Sequence, residues 1–70
     1  MELKLNSMYK TETGYVIPRS HFSETNPPNY LIADLLIGDE THYVKKPITL
    51  TRRELKKLLN LPNNERVEIV

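Results

Sequence analysis

Between residues 30 and 37 the chain reads Tyr-Leu-Ile-Ala-Asp-Leu-Leu-Ile, and this run constrains the fold more than any other segment. Leu31, Ala33, Leu35 and Ile37 share one face of an extended strand. Tyr30, Ile32 and Leu36 share the other, with Asp34 among them. Two largely apolar faces predict a strand in the middle of a sheet. The run is far too short to span a bilayer. A carboxylate in such a strand needs a partner, a hydrogen bond or an open edge, because burying it alone is costly. Lys45 or Lys46 on the following strand is the expected partner.

The neighbouring segments supply the rest of that sheet. Residues 2–10 alternate apolar and polar side chains and predict a first strand. Thr11-Glu12-Thr13-Gly14 predicts a turn, and Tyr15-Val16-Ile17 a second strand paired with the first. Pro18 ends that strand or marks an exposed edge. Residues 19–29 read as loop. Phe22 pins it to the core, and Pro27-Pro28 keeps it extended. Gly38-Asp39-Glu40-Thr41 predicts a turn into a returning strand, 42–46, which Pro47 stops. Residues 65–70 alternate again and predict a last strand with Val67 and Ile69 inward.

One helix is written into the sequence by its own start signals. Thr51-Arg52-Arg53-Glu54 is a capping box, and Leu50 with Leu55 forms the matching hydrophobic staple. Leu55, Leu58 and Leu59 make one apolar stripe, and Pro62 ends the helix near Leu61. The element order predicts an α+β fold: a small antiparallel sheet of four to five strands with one helix packed on it. The alternative is a small open barrel with a helix before its last strand. Seventy residues form a single domain, 1–70. With no cysteine, disulfides, thiolate zinc sites and cysteine nucleophiles are excluded. The polar start, Met1-Glu2-Leu3-Lys4, is unlike a signal peptide, so a soluble cytoplasmic protein is expected.

Segment 50–61 resembles the opening helix of a bacterial helix-turn-helix repressor. That motif requires a second, recognition helix after its turn. The residues from Pro62 onward read as turn and strand, so the resemblance ends with the first helix.

The sequence offers little for catalysis. Its two glycines, Gly14 and Gly38, cannot build a phosphate loop. Ser7, Ser20 and Ser23 lie in no nucleophile-elbow context. His21 and His42 are too few for zinc unless Asp39 or Glu40 completes the set. No enzyme activity, cofactor or metal is expected.

Charge is distributed more tellingly than its net value of +1. Residues 1–40 carry three basic and six acidic groups, and residues 41–70 carry seven basic and three acidic groups. Lys45, Lys46, Arg52, Arg53, Lys56 and Lys57 face Glu54 alone within 45–57. On a helical wheel Arg52, Arg53, Lys56, Lys57 and Asn60 occupy an arc of about 140° opposite the leucine stripe. This basic segment is the candidate binding surface, and nucleic acid is its candidate ligand. Tyr9, Tyr15, Phe22, Tyr30 and Tyr43 are candidates for a base-stacking platform. The leading expectation is nevertheless a non-enzymatic binding module of adaptor or inhibitor type. It would act through protein–protein contacts, with homo-oligomers possible and no membrane partner.

Overall fold

The computed structural model describes residues 1–24, 29–39 and 41–70. In chain order the elements are β1 (Glu2–Leu3), β2 (Tyr9–Thr11), β3 (Gly14–Pro18), β4 (Tyr30–Gly38), β5 (Tyr43–Thr51), α1 (Arg52–Leu58) and β6 (Glu68–Ile69). Strands β2-β3-β4-β5 form a four-stranded antiparallel sheet, and β1 and β6 form a separate parallel pair. The fold is α+β, as expected, and no barrel closes. Among the described residues no helix is long and apolar enough to cross a membrane.

The expected strand 2–10 breaks in two. Asn6 takes a left-handed φ of 63°, a conformation that asparagine tolerates better than most residues. Its N–H donates to the Pro18 carbonyl at 2.8 Å. The turn frees Leu3 to pair with Ile69 and lets Tyr9 re-enter the antiparallel sheet opposite Val16.

Pro47 does not stop the returning strand. It lies opposite Asp34 within a nine-residue β5 that runs directly into the helix. Because β5 is the last strand in the sheet, a residue without an N–H can face its open side and leave the ladder intact. The edge expected near Pro18 is thereby corrected: β3 lies between β2 and β4, and Pro18 pairs with Ala33. The Pro27-Pro28 expectation falls outside the described residues, as does Glu40 of the second turn.

Both hairpins depend on close backbone approach. A Cβ on Gly14 would lie 1.9 Å from the Leu36 carbonyl oxygen, so only glycine lets β3 and β4 meet there. In the second hairpin the Asp39 carboxylate accepts from the N–H groups of Thr41 and His42 and from the Thr41 hydroxyl. These bonds, led by the Thr41 N–H, hold the Asp39 carboxyl below its ordinary pKa.

The core forms where α1 and the β1–β6 pair cover one face of the sheet. Leu3, Val16, Phe22, Leu31, Ala33, Leu50, Leu55, Val67 and Ile69 are its buried members. Phe22 thus anchors its loop as expected. The capping box forms in full: Glu54 N–H donates to Thr51 Oγ1 at 3.2 Å, and Thr51 N–H to Glu54 Oε1 at 3.0 Å. The helix ends earlier than expected, at Leu58, in a Schellman arrangement. Leu61 N–H donates to the Lys56 carbonyl and Asn60 N–H to the Lys57 carbonyl, with Asn60 at a left-handed φ of 56°. No second helix follows among the described residues.

The helix covers only the Leu50 half of the β4–β5 hairpin. Beyond it, Ile37 and Val44 pair opposite each other and are both exposed, Val44 to 70%. Leu31 and Ala33 are fully buried on the inner face, whereas Tyr30 and Ile32 on the outer face are exposed. β4 is central in the sheet, but its outer side meets water.

Candidate functional site

The six basic residues singled out by sequence do not make one surface. Arg52 is drawn into the fold: its guanidinium lies 4.1 Å from the centre of the Phe22 ring and donates to Glu68 Oε2 at 3.0 Å. The Arg52 hydrogen bond holds the Glu68 carboxyl below its usual range. Lys56 donates its ammonium to the Asn63 carbonyl at 3.3 Å. Arg53 and Lys57, one helical turn apart, are exposed. Asn60 leaves the arc altogether, because it forms the helix terminus.

Lys45 and Lys46 point to opposite faces of β5, as adjacent strand residues must. Lys45 lies on the outer face, paired with Leu36 in register and 3.6 Å from Asp34 Oδ2. Lys46 lies on the inner face opposite Leu35. The expected partner for Asp34 is therefore half right. Its principal partner is Arg19, at the end of β3, whose Nε donates to Asp34 Oδ2 at 2.8 Å. That bond, assisted by the Lys45 charge, holds the Asp34 carboxyl below the usual aspartate range. Arg19 also donates to Asn6 Oδ1 at 3.0 Å, so the turn that breaks the first strand is tied to the same cluster.

The aromatics divide as well. Phe22 is buried, and the half-buried Tyr9 accepts the Lys4 N–H at 2.6 Å. Tyr15 and Tyr43 meet edge to face on the outer side of the sheet, with centroids 5.8 Å apart, and Lys10 sits 4.9 Å over the Tyr15 ring. Tyr30 stands at the far end of the same face. One ring of the pair carries a lysine and the two planes cross at 66°, so they offer no common flat platform.

What register does bring together is the outer face of β4 and β5. Tyr30, Ile32, Asp34 and Leu36 stand beside Thr51, Thr49, Pro47 and Lys45 in turn. Ile32, Pro47, Ile48 and Thr49 line a shallow depression there. Ile32 is 55% exposed and Tyr30 46%. Ile17, opposite Asp34 on β3, continues the apolar surface inward and is itself buried. Sequence reasoning missed Arg19, Ile32, Pro47 and Thr49 as members of a surface. The available signal was Asp34, which marks the face that meets water.

Among the described residues no three histidine, aspartate or glutamate side chains gather closely enough to hold a metal ion. His42 contacts the Thr41 hydroxyl through Nδ1 at 3.0 Å, and His21 is exposed. Comparisons with protein-family profiles, curated proteins and solved structures give no match. The site therefore rests on its own geometry.

Proposed function

We propose that this protein is a small non-enzymatic binding module of the cytoplasm that recruits a protein partner through the outer face of β4 and β5. One observation carries the reading. A solvent-facing sheet surface ordinarily alternates to polar residues, yet here the central strand turns Tyr30, Ile32 and Leu36 to that side. Contiguous apolar surface of this kind marks sites of contact with another macromolecule.

Nucleic-acid binding through the 45–57 segment is the weaker reading. Arg52 and Lys56 each hold a partner within the fold, and Lys45 and Lys46 lie on opposite faces of β5, so few cations are left to meet phosphates together. A contact built on so few cations would show a shallow salt dependence.

Affinity capture from lysate of the source cells, with and without nuclease, separates the readings. The protein-binding reading expects a nuclease-resistant partner that Ile32→Lys loses while circular dichroism stays unchanged. Partners that disappear with nuclease, or that Ile32→Lys retains, overturn it.

A further inference from the structure

The charges on the outer face are unbalanced, and the imbalance has a chemical meaning. Among the described residues Asp34 is the one carboxylate in the cluster there, and its side chain is just 13% exposed. Arg19 satisfies it at 2.8 Å with a hydrogen bond, while the same guanidinium also holds Asn6. Lys45 is a second cation on an anion already neutralised, at the longer distance of 3.6 Å and with its side chain 59% exposed. A surface ion pair of this kind is weak, so Lys45 can turn outward with little loss. Lys10 adds a third cation on β2, above Tyr15. Arg19 and Lys45 thus outnumber Asp34 beside the depression of Ile32, Pro47, Ile48 and Thr49, and Lys10 stands further off on the same face, across β3.

Resting on the protein-binding reading above, we propose that the outer face recognises an acidic, amphipathic peptide segment of its partner. The segment's apolar side chains would cover Ile32 and Pro47, and its carboxylates would meet Lys45 and the Arg19 end of the Asp34 cluster. Complementary charge is what selects such a partner from other apolar segments. A second copy of this chain fits less well, because it would set Lys10, Arg19 and Lys45 against the same cations. A single-stranded nucleic acid also fits less well. Lys10 covers the Tyr15 ring, and a base approaching the depression would find aliphatic groups in place of a stacking surface.

The test selects a displayed library of random 12-residue peptides on the intact protein, on Lys45→Glu and on Ile32→Lys, each checked for fold by circular dichroism. The expected result is enrichment of Asp and Glu interleaved with apolar residues on the wild type. Lys45→Glu should weaken those peptides about tenfold, from losing one exposed attraction and gaining one repulsion, and should itself select basic peptides. Ile32→Lys should select nothing. Peptides without acidic bias, or an unchanged preference on Lys45→Glu, overturn the acidic partner while leaving the protein-binding face intact. Equal selection on wild type and Ile32→Lys, or none on either, overturns both readings. Concentration-dependent dimerisation abolished by Ile32→Lys in sedimentation would assign the face to a second copy. Tighter binding of a fluorescent oligothymidine than of any selected peptide would assign it to nucleic acid. Each of these last results overturns the proposal.

Discussion

Replacing Arg52 with methionine tests whether the strongest cation of the basic segment belongs to the fold or to a ligand. Methionine keeps the aliphatic stem that packs along the helix flank and removes the charged head. That head lies 4.1 Å from the Phe22 ring centre, an arrangement worth about 0.5–1 kcal/mol at a partly exposed site. Its pair with Glu68 at 3.0 Å has side chains 37% and 45% exposed, so solvent screening limits it to about 0.2–1 kcal/mol. Arg52→Met should therefore cost about 1–2 kcal/mol. A domain of this length has roughly 4–10 kcal/mol in total. With a urea slope of about 1 kcal/mol/M for so small a chain, the midpoint should fall by about 1–2 M. Far-UV circular dichroism reads that shift directly, and a double-mutant cycle with Glu68→Gln isolates the ion pair from the ring contact. The pH dependence has a defined sign. Glu68 is depressed in the fold, so its share is complete above the unfolded carboxylate value of about 4.3. It is lost as pH falls through the lower folded value. The gap between wild type and variant should narrow toward pH 3, leaving the ring contact. An unchanged midpoint at pH 7 would refute the argument and return Arg52 to the surface as a cation free for phosphate.

Three further outcomes follow from the same structure. Thr51→Ala should destabilise the fold by about 1 kcal/mol in chemical denaturation, since it removes the acceptor for the Glu54 N–H. Thr11→Val should raise stability by about 1 kcal/mol, because Thr11 Oγ1 is buried with no hydrogen-bond partner among the described residues and valine keeps the shape. Acid titration of the intact protein should leave stability level above about pH 5 and reduce it progressively below. Asp34, Asp39, Glu54 and Glu68 are all depressed in the fold, and each loses its contribution as it protonates.

The helix was legible because its signals are local: Thr51, Glu54, Leu50 and Leu55 lie within six residues and act on each other directly. The two hairpins were legible for the same reason, since glycine and short polar turns sit between alternating runs. Non-local pairings were not. Nothing in Glu2-Leu3 distinguishes a partner 66 residues away from one across the next turn, and Asn6 reverses the chain through a conformation that sequence alone does not impose. Pro47 was misread because its effect depends on strand position: in an interior strand it would have ended the ladder, at the edge it does not. The helical wheel placed four cations on one arc correctly in angle. It could not reveal that Phe22, Glu68 and the Asn63 carbonyl stand beside that arc. Asp34 carried the one overlooked clue, because a lone carboxylate in an apolar strand labels its whole face as the wet one.

The parallel pairing of β1 with β6 has a kinetic consequence. Leu3 hydrogen-bonds through its carbonyl to the Val70 N–H at 2.7 Å, and Leu5 N–H donates to the Val70 carbonyl at 3.1 Å. Leu3, Val67 and Ile69 are all core residues, so the interior stays open until segments from opposite ends of the sequence meet. Closing so long a loop must be paid in chain entropy before any contact rewards it. During synthesis, the antiparallel hairpins and the helix can assemble on the ribosome while Leu3 waits for residues 67–70 to clear the exit tunnel. Folding is complete only after residues 67–70 emerge, and removing them takes Val67 and Ile69 out of the core together with β6.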